Sequence, residues 1–363
     1  LAAYTEMDRK GKTMAPHSII DNPVQLAEAP AIAGLSFRRF RGEEDYPKMI
    51  AVINAAKVAD GVERTETVED MRRNYTHLTN CDPWRDLLFA EVNGELVAYS
   101  RVFWLDVSDG SGTRLYTSFG FVKPEWRRKG LGRAMLRENE RRLREIAAGH
   151  PVSGPRLYES FGKDTEVENH RMLLSEGYQE VRHGYIMVRP DLENIPEPVL
   201  PAGLEVRPVR PDQVRQVWEA SQDAFKDHWS YIRESEEEYQ RWLEDPSFDP
   251  SLWRVAWDGD QVAGMVLSFI EAQQNEEYGQ KRGWTENICV LRPYRKQGLA
   301  RALILLSLQA IKERGMTEAA LGVDTQNTSG ALRLYESVGF RPIECHTTYR
   351  KSLPVPELDT GGR

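Results

Sequence analysis

The sequence predicts an α/β chain built from two tandem copies of one mixed-sheet unit. Three observations carry this. At 363 residues the chain holds about two domains. A β-branched run, Glu286-Asn287-Ile288-Cys289-Val290-Leu291, is stopped by Pro293; after Gly298 a helical stripe of Leu299, Ala302, Leu303, Leu306, Ala310 and Ile311 begins. The same order of strand, basic turn and helix occurs once before, as Tyr116 to Val122, Pro124 and Arg127-Arg128-Lys129-Gly130-Leu131-Gly132.

Hydrophobic residues make up 40% of the chain and charged residues 29%, the balance of folded globular domains. A net charge of −8 argues against a nucleic-acid partner. Cys81, Cys289 and Cys345 are too few and too scattered for a disulfide framework or a zinc site, so no metal and a reducing cytoplasm are expected. No apolar run approaches the ~18 residues that a membrane span needs. The first thirty or so residues lack the apolar core of a signal peptide, and residues 1–34 are expected to form a flexible arm.

Taken in order, Ser36-Phe37-Arg38-Arg39-Phe40 reads as a short strand and Glu43 to Val58 as a helix. Two strands around 87–102 are joined by Asn93-Gly94, the strongest short-range hairpin signal. The strand ending at Val122 and its basic turn lead into a charged amphipathic helix that runs to about Ala147. Residues 191–202, with Pro196, Pro198 and Pro201, read as a linker. Then the order repeats. Leu204-Glu205-Val206 echoes the segment at Leu35, and Asp258-Gly259 echoes Asn93-Gly94. Gly298 echoes Gly130, and Gly339-Phe340 echoes Gly177-Tyr178, all at offsets of roughly 165 residues. Such landmarks make the chain a tandem duplication, with units at 35–190 and 203–351 and a tail at 352–363. Each unit reads β-α-α-β-β-β-α-β-α-β.

Gly298 and Ala300 let a ligand approach the backbone, and the free N–H groups of a helix's first turn carry its positive dipole end. An oxyanion such as a pyrophosphate is the natural guest. The turn is neither a Walker A loop nor the Rossmann fingerprint. Arg295-Lys296-Gln297-Gly298-Leu299-Ala300 resembles the Arg/Gln-x-x-Gly-x-Gly/Ala turn of the GNAT superfamily of acyl-CoA-dependent N-acetyltransferases. About one helix and one strand later, Asn327 to Phe340 matches that superfamily's Asn-x-x-x-Ala-x-x-x-Tyr-x-x-x-Gly-Phe segment. Together, in this order, the two are a strong signal.

The resemblance covers nearly the whole folded chain. It implies a twisted mixed sheet in each unit, splayed at the strand before the basic turn, with acetyl-CoA entering the split. It also implies a small-molecule amine as acceptor. Val290 and Leu291 are expected to offer backbone groups to the pantetheine arm. Arg295, Lys296, Gln297, Gly298, Leu299, Ala300 and Arg301 surround the pyrophosphate, and Asn327 contacts the cofactor or caps a helix. Val122, Arg127, Arg128, Lys129, Gly130, Leu131 and Gly132 form the matching set in the first unit.

Acetyl transfer to an amine needs a base for the ammonium, a donor for the developing oxyanion and an acid for the departing thiolate. Tyr335 stands where the superfamily places its thiolate-protonating Tyr, and a phenol of pKa about 10 suits that role. Glu286 stands where related enzymes carry a base; a solvated strand-edge carboxylate is the plain alternative. The first unit has Leu173 at the place of Tyr335 and Thr117 at the place of Glu286. Catalysis is therefore expected in the second unit alone, the first binding cofactor or serving as a scaffold.

For the acceptor, the resemblance points to Asp227, His228, Trp229 and Tyr231. Asp227 would anchor a cation and an aromatic ring would stack on it; His228 is read as an ordinary loop histidine. A CoA-binding sensor without turnover and a protein acetyltransferase are the competing functions. Oligomeric state is left open.

Overall fold

The computed structural model describes residues 23–327 and 329–354. The first unit contains β1 (Leu35–Arg38), α1 (Tyr46–Asp60), α2 (Val68–Thr76), α3 (Pro83–Asp86), β2 (Leu87–Val92), β3 (Glu95–Asp106), β4 (Arg114–Val122), α4 (Leu131–Ala148), β5 (Arg156–Lys163), α5 (Val167–Ser175) and β6 (Gln179–Arg189). The second contains β7 (Glu205–Val206), α6 (Val214–Phe225), α7 (Glu236–Leu243), β8 (Arg254–Asp258), β9 (Gln261–Phe269), α8 (Ala272–Tyr278), β10 (Arg282–Val290), α9 (Leu299–Glu313), β11 (Glu318–Asp324), α10 (Ala331–Ser337) and β12 (Arg341–Ser352). Relative to the expected order, α3 and α8 are additions.

Local chemistry explains the boundaries. Asn93 (φ 51°) and Gly94 (φ 83°) both take the left-handed backbone of a two-residue hairpin turn. Thr67 and Ser235 each close a capping box, with Asp70 and Glu238, at the start of α2 and α7. Around α9, Ile304, Leu305 and Leu308 are buried beside the expected stripe, of which Leu306 alone is only half-buried, so this helix is enclosed on more than one side.

Among the described residues all twelve strands join one sheet, in the order β1-β2-β3-β4-β5-β12-β6-β11-β10-β9-β8-β7. The duplication alone suggests two sheets; the structure makes them continuous because the units exchange their last strands. β12 pairs antiparallel with β5 of the first unit, and β6 pairs antiparallel with β11 of the second. The cores follow the strands. Met187 and Leu192 pack with Leu303, Leu321 and Phe340, while Tyr349 and Leu353 pack with Tyr116, Leu143 and Tyr158.

Each unit splays where expected. β4 runs parallel to β5 only from Arg114 to Thr117, and β10 to β11 only from Arg282 to Trp284. Beyond those points the strands part, leaving an open backbone edge on residues 118–122 and 285–290. In the expected arm, Val24, Leu26 and Ile32 pack on the first unit's core, and Val24 N–H donates to Phe37 O at 2.9 Å. Residues 1–22 of the arm and 355–363 of the tail lie outside the described residues.

Candidate active site and two cofactor cradles

The two basic turns are conformational copies. Lys296 (φ 62°) and Gly298 (φ 86°) have their counterparts in Arg128 (φ 61°) and Gly130 (φ 84°). Positive φ suits glycine, and here it turns successive N–H groups toward one point. A Cβ added at Gly298 would meet no heavy atom within 4 Å, so the cradle is open to a guest. Leu299 and Leu131 bury their side chains and anchor the helices that start there.

The side-chain ties are copied too. Arg295 Nε donates to Val290 O at 2.9 Å, as Arg127 Nε does to Val122 O at 3.1 Å. Arg301 donates to Ser337 Oγ at 3.0 Å, as Arg133 does to Ser175 Oγ at 3.2 Å. Arg127 also forks onto Asp60 at 2.6 and 2.8 Å, while Arg295 reaches Asp227 at 3.4 Å. So the Arg127 and Arg295 guanidiniums, expected around the pyrophosphate, instead tie the turn to the preceding strand and to a neighbouring carboxylate. Lys296, Arg128 and Lys129 remain exposed at the rim, Lys129 over the Trp126 ring, and Gln297 bonds back to Pro293 O at 3.2 Å. In the first unit the split opens into a cavity of about 510 Å3 that reaches Val122, Gly130, Gly132, Leu173, Ser118 and Ser160.

The second unit's split holds both side chains expected to act as base and acid, Glu286 and Tyr335. Glu286 reaches across it, and its Oε1 accepts the Gly322 N–H at 2.9 Å. Burial pushes this carboxyl up to about 7, a rise that the Gly322 bond opposes. Tyr335 on α10 is buried with its ring edge-on to Phe340 at 6.4 Å. Burial raises its phenol well above the ordinary value, and the nearby Glu286 and Cys289 add to the rise. The hydroxyl is therefore a protonated donor at neutral pH. Cys289 is buried, and burial pushes its thiol up to about 12.

A feature that the sequence reading lacks is a bulge in β10. Its register with β9 slips between Glu286 and Cys289, and Asn287 takes a left-handed φ of 47°. The signal was available, since Asn inside a strand is the residue that tolerates that backbone. In the first unit β4 keeps unbroken register with β3 from Arg114 to Val122. There Leu173 is fully buried, and the buried Thr117 Oγ1 has no hydrogen-bond partner. Asn327 does not cap α10, whose N-cap is Gly330; its Oδ1 accepts the Ser329 N–H at 2.7 Å.

The expected acceptor residues are engaged elsewhere. Asp227 is committed to Arg292 and Arg295, so it ties the loop to the basic turn rather than waiting for a cation. Trp229 lies between the guanidiniums of Arg350, at 4.2 Å, and Arg182, at 5.1 Å. Tyr231 donates to Gln222 Oε1 at 3.0 Å, and its carbonyl accepts the Ser108 N–H at 2.7 Å. His228 packs against Phe225, and burial pulls its imidazole below the usual range. This loop therefore clasps the seam between the units. Beside the β10 bulge lies a different cavity, of about 200 Å3, bounded by Trp218, Trp242, Leu267, Asn287 and, from the first unit, Asn74. The acid-rich, aromatic stretch from Glu234 to Trp242 was the sequence signal for it.

The Acetyltransferase (GNAT) family matches residues 214–340, and a GNAT acetyltransferase domain family matches residues 83–162. The chain belongs to the GNAT acetyltransferases. It is an acyl-CoA-dependent N-acetyltransferase of tandem type, and its acyl donor is acetyl-CoA. Among proteins similar to this GNAT chain is the mycothiol acetyltransferase of Geodermatophilus obscurus, 27% identical over 84% of this chain and 93% of that protein. The tandem layout agrees with that likeness. A crystal structure of a GCN5-related N-acetyltransferase from Sphaerobacter thermophilus superposes with a TM-score of 0.68 at 25% identity, covering 90% of this chain and 98% of that one. A tandem GNAT protein from the clavulanic acid biosynthesis pathway shares the fold, with a TM-score of 0.63 at 15% identity over 89% of this chain and 100% of that one. Among the described residues of this GNAT chain no helix is long and apolar enough to cross a membrane.

Proposed function

We propose that the second unit of this acetyltransferase transfers acetyl directly to the primary amine of a small molecule, with Glu286 as base and Tyr335 as acid. The observation that carries this reading is the pairing across one split of a carboxyl raised to about 7 with a buried, protonated phenol. When bound, acetyl-CoA supplies the thioester. The N–H groups opening α9 hold its pyrophosphate, and the open edge of residues 285–290 pairs with the pantetheine arm in place of a neighbouring strand. Glu286 takes a proton from the acceptor's ammonium, directly or through water. Tyr335 gives its proton to the sulfur as the thiolate leaves. Both substrates being held in one cleft, proximity supplies a further part of the rate.

The first unit has the same cradle without the acid or the base, and we read it as a cofactor site without turnover. Residues 35–190 and 203–351, joined by 191–202, are the two functional halves despite the shared sheet. The name of the curated relatives, mycothiol acetyltransferase, supports a small-molecule acceptor. The test is acetyl-CoA-dependent thiol release and N-acetylation of small amines. Wild type should turn over and Glu286→Gln should lose all but a small fraction of the rate; full activity in Glu286→Gln would remove it from the mechanism.

A further inference from the structure

The loop after the first helix of each unit does two things at once. In the first unit α1 ends on Asp60, which holds the Arg127 guanidinium of the basic turn at 2.6 and 2.8 Å. In the second, α6 is followed by Asp227, which accepts from Arg292 Nε at 3.0 Å and from Arg295 Nη1 at 3.4 Å. Asp60 and Asp227 stand at the offset of the repeat. Each carboxylate fixes the turn of its own cofactor cradle to the loop beside it.

Both loops then cross to the other unit. Residues 57–65 are clamped by α8 of the second unit. Lys57 and Thr65 both bond Glu277, and Tyr278 Oη accepts the Arg64 N–H at 3.0 Å and donates to its carbonyl at 3.2 Å. Glu63 accepts from Arg282 Nη1 at 2.8 Å, while Arg282 Nε donates to Glu318 at 2.7 Å. Arg282 and Glu318 are the first pair of the β10–β11 ladder below the second split. The loop at 227–231 runs the opposite way. Ser230 Oγ accepts from Arg350 Nη2 at 2.6 Å, and Arg350 Nε donates to Glu159 at 2.8 Å. Glu159 faces Thr117 in the last pair of the β4–β5 ladder, below the first split. Each cradle is thus strapped to the base of the other unit's split.

We infer that the two acetyl-CoA sites are coupled through these straps, so that loading one tightens the other. A guanidinium has five N–H groups. Arg127 uses three, on Val122 O and both Asp60 oxygens, and keeps two for a phosphate oxygen. A pyrophosphate held there fixes the turn, Asp60 and the loop together. The strap that this ligand orders also reaches the second site, so the next ligand meets less of the ordering cost. The second clamp has more order to gain, since Arg295 reaches Asp227 and Ala224 O only at 3.4 and 3.3 Å. This coupling presupposes the first unit as a cofactor site without turnover and gives it a task, sensing acetyl-CoA for the second.

Titration calorimetry of the intact protein with acetyl-CoA tests this. Wild type should show two sites. Gly130→Glu blocks the first cradle, and the second site should then bind at least ~5-fold more weakly than in Gly130→Ala, which shares the left-handed strain without the carboxylate. Gly298→Glu, set against Gly298→Ala, should weaken the first site by the same factor, because coupling is reciprocal. Glu63→Gln, Glu277→Gln and Tyr278→Phe together cut the first strap, and Ser230→Ala the second, all at side chains outside the cradles. With the four combined, both factors should fall below about twofold. Two sites with factors of one in the protein with intact straps overturn the coupling and leave the first unit a cofactor site. Factors unchanged by the four substitutions overturn the straps as its route. A single site in wild type overturns the cofactor reading of the first unit, and the coupling with it.

Discussion

Gly322 on β11 donates its backbone N–H to Glu286 Oε1 on β10 at 2.9 Å, across the point where the two strands part. A ladder bond between backbones is replaced there by a bond from backbone to carboxylate. This single donor holds Glu286 in the split, while burial keeps its carboxyl at about 7. If Glu286 is the base, kcat/KM falls as pH drops through about 7, because the protonated carboxyl can take no proton. A pH–rate profile flat from pH 5 to 8 would exclude it.

The same shift sets a stability trade-off. The folded pKa of about 7 lies above the ordinary 4.5. The fold therefore favours the protonated acid, and that stability is present below 4.5 and lost as pH rises through 7. Glu286→Gln removes the penalty, so thermal denaturation should find it about 1–3 kcal/mol more stable than wild type at pH 8. The difference should close by pH 5. Its kcat should fall by about 10²–10⁴.

Tyr335→Phe keeps the ring that packs on Phe340 and removes only the hydroxyl. Loss of an acid for the leaving thiolate should lower kcat by roughly 10²-fold or more. Calorimetry should find acetyl-CoA affinity within about twofold of wild type, since a kept ring costs little binding energy. A mutant with full kcat would leave the thiolate to water.

Gly298→Glu and Gly130→Glu each place a carboxylate in one anion cradle at a left-handed backbone position. Titration with acetyl-CoA should show two sites in wild type and one in each variant. Gly298→Ala and Gly130→Ala report the backbone strain alone, about 1 kcal/mol. A single wild-type site, lost only with Gly298→Glu, would make the first unit a scaffold.

The exchanged strands make the units one folding body. Calorimetric unfolding of the intact chain should give a single transition. A chain ending at Phe340 leaves β5 and β6 without the partner between them. It should bind acetyl-CoA at neither site; a well-folded first unit in that chain would show that β12 is dispensable to it.

Much of the site was readable because its signals are local. Gly298 and Gly130 announce left-handed turns, Asn93-Gly94 a hairpin, and the spacing from Tyr335 to Gly339 a helix that ends on the sheet. The residues that stand in the first unit at the places of Tyr335 and Glu286, Leu173 and Thr117, were visible too, and both are buried. What the residues did not disclose concerns partners. Asp227 is a free carboxylate on paper, and only folding brings Arg292 and Arg295 to it. Likewise the raised carboxyl of Glu286 depends on burial between strands distant in the chain.

The sequence by itself determined two copies of one α/β unit and two left-handed glycine turns that open α4 and α9. Backbone preference and hydrophobic period act over a few residues, so they are written where they act. Tertiary structure decided that β6 and β12 cross over, that the aromatic loop at 228–231 clasps the seam, and that a cavity opens beside Glu286. An interchange of equivalent strands leaves every local period unchanged, and the choice between them rests on packing across more than a hundred residues. Met187 under Phe340 and Tyr349 beside Tyr158 are where that choice was made.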